Sequence, residues 1–140
     1  MNLPVKVHYA TVAMLALARE FARGGIATAR AIADEHEIPS PFLIQIFQQL
    51  RSAGLVSSTR GSSGGFRLER SPAAISLFDI VEAVSPSASP QISTSESTLV
   101  RGVQEFWARM EADQNDLLRQ MSLLELLERS ESASESMFYI

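Results

Sequence analysis

Cysteine is absent from this chain of 140 residues. Its absence excludes a disulfide scaffold, a thiolate zinc site, an iron–sulfur centre held by cysteines alone and a cysteine nucleophile. Long apolar runs are also missing, since none approaches the ~20 residues that a membrane span needs. The apolar stretch at residues 12–18 predicts an amphipathic helix rather than a signal peptide, because Arg19 and Glu20 continue its pattern. We therefore expect a soluble, cytoplasmic protein with no membrane partner.

Basic residues are scarce and unevenly distributed. Lysine occurs once, at Lys6, and the net charge is −4, which by itself argues against nucleic-acid binding. Residues 1–85 hold eight basic and seven acidic residues, a net +1, whereas residues 86–140 hold four and nine, a net −5. Four arginines fall between positions 51 and 70 beside a single acid, Glu69. This asymmetry predicts different roles for the two parts of the chain.

Residues suited to catalysis or metal binding are few. His8 and His36 have no partner at ligand spacing. The loop Gly61–Gly65 matches the G-x-S-x-G pattern of serine hydrolases, but that motif needs a helix after the serine, and here a second strand is expected. We therefore expect no enzyme activity, no catalytic residue and no metal site.

Helical spacing with start and stop signals predicts three helices before residue 55. The first ends at the Gly24–Gly25 break, and the second has Thr28 as its N-cap. The third is expected to have Ser40 as its N-cap and Pro41 at its first position, and to stop at Gly54.

The apolar period then changes from helical to alternating. Residues 55–59 and 66–68 predict two short strands around a glycine- and serine-rich turn. Ser76 and Asp79 have the spacing of a capping box at the start of a fourth helix. Three helices and a hairpin are the layout of a winged helix-turn-helix, so residues 1–84 predict a mainly α domain with a small β-hairpin wing, an α+β fold.

The remainder of the chain predicts a linker and a long helix. Residues 85–98 are rich in serine and proline, which is typical of a flexible connector. We expect a long helix from about residue 98 to 121, a short following helix to 129 and a frayed tail at 130–140. So long a helix cannot bury its apolar stripe on so small a domain, so we expect it to pair with a second chain; the alternative is that it folds back on the first helix. The predicted dimerisation residues are Leu99, Val103, Phe106, Trp107, Met110, Leu117, Met121 and Leu124.

Polar side chains on the third helix and in the hairpin predict a DNA-binding surface. Amides reach base edges in the major groove, and a loop of small residues brings its backbone near phosphates while a flanking arginine enters the minor groove. The alternative is a solvated helix face beside a plain flexible hairpin. The candidate DNA-binding residues are Thr28, Arg30, Ser40, Pro41, Gln45, Gln48, Gln49, Arg51, Arg60, Gly61, Ser62, Ser63, Gly64, Gly65 and Arg67.

An ordered set of segments in this part of the chain is similar to a known family. The segments are Lys6, His8, Tyr9 and Ala10, then Ile38–Leu43, Gln45–Arg51, Ala53–Val56, Arg60–Gly61, Gly64–Leu68 and Ile75–Val84. They resemble the IscR/NsrR/CymR family of bacterial winged-helix regulators (the Rrf-two family), closely over about residues 1–85 and by position only over the long helix. The resemblance implies a homodimer joined by the long helix, which controls transcription, usually by repression, from a palindromic operator. It also implies that Arg60 is the wing arginine and that Ser40 and Gln45 are recognition-helix positions.

The chain departs from that family at two places. Sensing members hold an iron–sulfur cluster with three cysteines in the segment that corresponds to residues 85–98, where this chain has serines. Because serine hydroxyls are poor iron ligands beside thiolates, we expect no cluster. Ile44 stands where some members carry a glutamate that helps discriminate DNA sequence, so the operator preference does not transfer.

These observations predict a dimeric, cluster-free repressor that binds double-stranded DNA. Its signal is a small molecule, a partner protein or nothing. The alternative is a winged-helix adaptor protein that no longer binds DNA, which the acidic net charge and the single lysine favour.

Overall fold

A computed structural model describes residues 3–62, 64–86 and 96–138, with side chains described as far as residue 133. These residues form six α-helices and one antiparallel pair of strands, which confirms the predicted winged-helix fold. In chain order the elements are α1 (Val5–Phe21), α2 (Ala29–His36), α3 (Ser40–Ser52), β1 (Val56–Thr59), β2 (Gly65–Leu68), a 3-10 turn (Pro72–Ala74), α4 (Leu77–Val84), α5 (Thr98–Gln120) and α6 (Leu123–Phe138).

The core lies between α1, α3 and α4, and α1 runs through its centre. Seven of the 17 residues of α1 are buried, and four of them are alanines, whose small side chains let neighbouring helices approach closely. The inner side of α3 contributes Leu43, Ile46, Phe47 and Leu50. The Phe47 ring stacks on Phe66 of β2 with centroids 4.2 Å apart, so α3 and the hairpin are held as one unit.

The helix-turn-helix is shaped by its caps. Thr28 Oγ1 accepts a hydrogen bond from the Ala31 N–H at 3.1 Å, as predicted for an N-cap. The predicted capping role of Ser40 is wrong. The Pro39 carbonyl accepts the first hydrogen bond of α3, from the Leu43 N–H at 3.0 Å, so Pro39 is the N-cap and Ser40 lies inside the first turn without a capping bond.

The C-terminal end of α5 is fastened to the winged-helix domain by backbone hydrogen bonds. The Leu77 N–H donates to the Met121 carbonyl at 2.9 Å, and the Leu123 N–H donates to the Ile75 carbonyl at 2.8 Å. The predicted capping box is present beside them: Ser76 Oγ accepts from the Asp79 N–H, and the Asp79 carboxylate accepts from the Ser76 N–H. The start of α4 and the α5–α6 junction therefore form one hydrogen-bonded joint.

Helix α6 is longer than predicted. It continues to Phe138, nine residues beyond the expected end of the following helix at residue 129. No proline or glycine follows Gly102, and Arg129 pairs with Glu125 one turn earlier at 3.2 Å, so nothing terminates the helix earlier. In the predicted linker, α5 begins at Thr98 with Ser97 as its cap, and residues 87–95 lie outside the described part of the chain. None of the described helices is both long and apolar enough to cross a membrane.

Candidate nucleic-acid interface

The side of α3 opposite the core is exposed and, before the last turn of the helix, carries no charged residue. Pro41, Ile44, Gln45 and Gln48 recur at steps of three and four, so they share one stripe of the helix. We call these four residues the outer face of α3. Ser40 is exposed in the first turn beside it, and its hydroxyl makes no helix-capping bond.

Gln49 is not part of this stripe. One position beyond Gln48, it turns towards α4, where it lies half-buried near Glu82 and Ala83. Its Oε1 atom is buried and has no hydrogen-bond partner among the described residues. The packing of α4 against α3 therefore partly covers Gln49, and its contact with DNA stays a prediction.

The hairpin presents Arg60 at the end of β1, followed by an exposed turn. Gly61 has φ of 110°, a conformation that favours glycine, and Ser62 is exposed beside it. Ser63, a predicted DNA-binding residue, lies outside the described part of the chain.

The other two glycines of the turn are required by packing. A Cβ atom on Gly65 would lie 2.6 Å from Ile26 Cγ2 and 2.7 Å from the Ala27 carbonyl oxygen, and one on Gly64 would collide with the Thr59 carbonyl. Ala27 and Phe66 exchange two backbone hydrogen bonds at 3.0 and 2.8 Å, which draws β2 against the strand-like residues before α2. Gly64 and Gly65 are therefore needed for the shape of the wing. The sequence pattern predicts for them only a role in bringing the backbone close to phosphates.

Arg51, in the last turn of α3, and Arg67, in β2, point in different directions. Arg51 Nη1 donates to Ser58 Oγ on β1 at 3.2 Å, so this side chain bridges the end of α3 and the wing. Phe66 faces α3, so Arg67, the next residue of β2, faces away from α3. Arg67 lies instead beside Phe21 and the turn after α1. Arg67 therefore lies on the face of the hairpin that is turned away from α3, and its contact with DNA stays a prediction.

The N-terminus of α2 adds two exposed polar side chains before α3. Thr28 is engaged as the cap of α2, but its hydroxyl hydrogen can still be donated to an outside acceptor. Arg30 is exposed in the first turn of α2. Both remain candidates for contact with the DNA backbone.

The arginines of this surface keep their charge uncompensated by carboxylates. Among the described residues, Arg19 pairs with Glu35 at 3.0 Å and Arg119 with Asp116 at 3.3 Å. Within the same ranges, no carboxylate lies within 4.0 Å of the candidate side chains Arg30, Arg51, Arg60 and Arg67. None of these four guanidinium groups is neutralised by a carboxylate of the described residues, and Arg30 and Arg60 are the two that are neither bonded to the wing nor turned away from α3.

The predicted dimerisation residues lie mostly on the exposed side of α5. None of the side chains of α5 is fully buried, and Leu99, Phe106 and Trp107 are 81%, 56% and 57% exposed. Val103, Met110, Leu117 and Leu124 are also exposed. Met121 differs, because it is half-buried at the joint with Leu77. We call Leu99, Val103, Phe106, Trp107, Met110 and Leu117 the apolar stripe of α5.

A helix-turn-helix with an exposed recognition helix, and a wing with an unpaired arginine beside it, define a winged-helix DNA-binding protein. Within that class, the chain belongs to the Rrf2 family, described as iron-dependent transcriptional regulators, whose pattern matches residues 3–129.

Individual relatives agree with this assignment. The chain is 30% identical to the HTH-type transcriptional regulator CymR of Bacillus subtilis over the full length of both proteins. It is 40% identical to slr0846 of Synechocystis, named as a helix-turn-helix transcriptional regulator, over 64% of this chain and 60% of that relative. The solved structure of IscR from T. potens, 29% identical, superposes with a TM-score of 0.79 over 95% of this chain and 90% of that one. The protein is thus a DNA-binding transcriptional regulator and not an enzyme.

The family description raises the question of iron. A cluster of the thiolate type needs cysteine ligands, and the whole sequence has none. Within the described ranges, no group of three or more histidine, aspartate or glutamate side chains converges as metal ligands would. The donors present do not fit an iron–sulfur cluster.

One residue of the outer face was left out of the predicted DNA-binding set. Ile44 is 54% exposed in the middle of the face, between Pro41 and Gln48. Two signals were available: its position, three residues after Pro41 and four before Gln48, and its correspondence to a glutamate that helps some members of the similar family discriminate DNA sequence. An aliphatic residue at helical spacing is ordinarily assigned to the core, which is why the pattern alone did not select it.

Proposed function

We propose that this protein is a homodimeric repressor that binds a palindromic operator without an iron–sulfur cluster. The observation that carries the proposal is the apolar stripe of α5, which is attached directly to a domain with an exposed recognition helix. A regulator that reads two half-sites needs two recognition helices held at a fixed separation.

A second copy of the chain is the partner that the apolar stripe favours. Helix α5 has 23 residues, about 35 Å at ~1.5 Å per residue. Burial of apolar surface contributes roughly 25 cal/mol per Å², so covering six such side chains on each of two helices is strongly favourable. Folding back on α1, the alternative, would cover Leu99, Phe106 and Trp107, which stay exposed.

The joint between α4 and α5 supports a role for α5 in operator spacing. Through the Leu77–Met121 hydrogen bond, the end of α5 is tied to α4, and α4 packs on the flank of α3. Arg119 reinforces the tie, since its guanidinium lies 4.1 Å from the centre of the Phe78 ring. In a dimer built on α5, this joint would set the direction of each recognition helix. Two half-sites on one face of B-DNA require a separation of ~34–36 Å.

A small-molecule signal has a candidate site at the same joint. A cleft of about 430 Å³ lies between the start of α1, α4 and the C-terminal half of α5. Its apolar lining includes Val7, Val81 and Leu118, and Gln114 and Asn115 supply amides. A ligand that binds here would act on the angle between α5 and the winged-helix domain, and repression would respond through operator affinity.

The proposal is tested by DNA binding at several salt concentrations together with the molar mass in solution. We expect a dimer by light scattering. We also expect nanomolar affinity for the promoter DNA of its own gene, with log K falling linearly against log salt concentration. A monomeric protein that still binds the operator tightly would overturn the dimer. A reporter gene that is silenced on deletion of the protein would overturn repression.

The absence of a cluster has its own measurement. Anaerobic incubation with ferrous iron and sulfide, followed by desalting, should leave the protein without visible absorption and with unchanged operator affinity. Retention of iron with oxygen-sensitive visible bands would contradict the proposal.

A second function, that of a protein-interaction adaptor, is favoured by the net charge of −5 in residues 86–140. The unpaired Arg60 beside the outer face of α3 speaks against it. Failure to bind any DNA fragment at low salt, with a normal folded spectrum, would favour the adaptor.

A further inference from the structure

The outer face of α3 combines two apolar side chains, Pro41 and Ile44, with two amides and no charge. No acidic or basic residue occurs from Ser40 to Leu50. Ile44 is 54% exposed, whereas Ile46, two positions on, is completely buried in the core. The nearest cation on the helix, Arg51, is hydrogen-bonded to Ser58 of the wing.

The chemistry of this face matches A·T base pairs better than G·C pairs. Guanine is read in the major groove chiefly by arginine or lysine, and cytosine by acidic acceptors, and the outer face offers neither. Glutamine pairs with the N6 and N7 atoms of adenine, and the thymine methyl group is the apolar feature of the groove that an aliphatic side chain contacts. Gln48 lies four positions after Ile44 and three after Gln45, so it neighbours both side chains and joins them in one stripe of the helix surface.

We propose that Ile44 is a specificity-determining residue that packs against a thymine methyl group in each operator half-site. Gln45 and Gln48 read adenine in the same or the neighbouring base pair. This inference rests on the proposed function, in which α3 enters the major groove. Beyond that function, the inference specifies which bases the operator contains: the base pairs that face the centre of α3 are A·T pairs.

The test removes one methyl group from the DNA and one side chain from the protein. The operator is first selected from random double-stranded DNA by the full-length protein. Each thymine is then replaced singly by deoxyuracil, which lacks only the 5-methyl group, and binding is measured by fluorescence anisotropy. We expect one thymine per half-site whose replacement weakens binding by about fourfold, the value for one buried methyl group.

The Ile44→Ala variant should bind the selected operator more weakly and should respond equally to thymine and deoxyuracil at that position. Its control is Val5→Ala, because Val5 is an aliphatic residue of α1 with a similar exposure of 52%. This control should keep the full response to deoxyuracil. Ile44 is exposed, so its truncation should leave the thermal unfolding midpoint nearly unchanged.

The outcomes separate the inference from the function on which it rests. If no DNA is enriched in the selection, the proposed function itself fails. If DNA is enriched but no thymine is sensitive, or Ile44→Ala keeps the wild-type sensitivity, the reading of a methyl group by Ile44 is wrong and operator binding stands. A selected sequence with G·C pairs under the centre of α3 would also overturn the inference.

Discussion

The winged-helix part of the molecule and the α5–α6 part differ in what they leave exposed: arginines around α3 and the hairpin in the first, and a row of large apolar side chains in the second. On the winged-helix part, Arg30, Arg51 and Arg60 have no carboxylate partner among the described residues. On the α5–α6 part, Arg119 and Arg129 are paired locally with acids, Arg101 and Arg109 have no such partner among the described residues, and the apolar stripe is exposed. Each part lacks what a different partner supplies, phosphate oxygens in one case and apolar surface in the other.

The comparison also explains how an acidic protein binds DNA. The net charge of −4 is the sum of +1 in residues 1–85 and −5 in residues 86–140. At physiological salt the Debye length is ~8 Å, so acids far along α5 act only weakly on phosphates at the wing. The local charge around α3 and the hairpin therefore matters more than the total.

The largest effect is expected from a charge placed in the apolar stripe. Trp107→Glu should shift the proposed dimer to monomer at micromolar concentration and weaken operator binding at least tenfold, because a buried unpaired carboxylate costs several kcal/mol. The measurement is light scattering combined with anisotropy. Ala112→Glu is the matched control, since Ala112 is exposed on the side of α5 opposite the stripe and should tolerate the charge. A dimeric Trp107→Glu protein would show that α5 is not the interface.

The next largest effect is a difference in operator affinity between alanine variants of the two hairpin arginines, Arg60 and Arg67. Arg60→Ala should weaken operator binding about tenfold and reduce the slope of log K against log salt by about one phosphate contact. Arg67→Ala, the control, should change affinity less, because Arg67 faces away from α3 beside the end of α1. Equal losses for both variants would mean that the DNA covers both faces of the hairpin.

A smaller effect concerns the joint between the two parts. Ser76→Ala removes the capping hydroxyl of α4 and should lower the free energy of unfolding by about 1 kcal/mol in a urea titration. Ser71→Ala is the control, because Ser71 precedes the 3-10 turn and makes no capping bond. Its substitution should leave stability within about 0.5 kcal/mol of the wild type. If Ser71→Ala lowered the free energy of unfolding more than Ser76→Ala, the capping bond of Ser76 would not be the reason for its effect on stability.

Much of this architecture follows from local signals in the sequence. The Thr28 cap, the Ser76–Asp79 capping box and the start of α5 at Thr98 lie where the sequence predicts them. Each depends on residues within one helical turn, so no knowledge of distant packing is needed. The mainly α fold with its hairpin wing follows from the same kind of evidence.

The parts that could not be predicted depend on neighbours distant in sequence. Gln48 and Gln49 are identical in type and adjacent, and only the position of α4 decides that Gln49 is half-buried. Arg67 is likewise assigned to its face by the stacking of Phe66 on Phe47. Residues 130–138 are rich in serine and glutamate, which is why the sequence predicts a frayed tail there. The segment contains no proline or glycine that would end a helix, and α6 continues through it. A helical or strand period identifies a face, but tertiary packing decides what covers it.

The smallest effect tests strain in the turn that leads into α3. Glu37 has φ of 56°, and among the described residues no other non-glycine residue has a positive φ. The left-handed conformation costs an ordinary residue ~1–2 kcal/mol, partly offset by the entropy that glycine adds to the unfolded chain. Glu37→Gly should therefore raise the free energy of unfolding by about 0.5 kcal/mol. Asp34→Gly, inside α2, should instead lower it, because glycine is unfavourable within a helix. If Glu37→Gly destabilised the protein as Asp34→Gly does, the contacts of the Glu37 side chain would outweigh the free-energy cost of its left-handed backbone. The turn before α3 would then not be a strained part of the winged-helix domain.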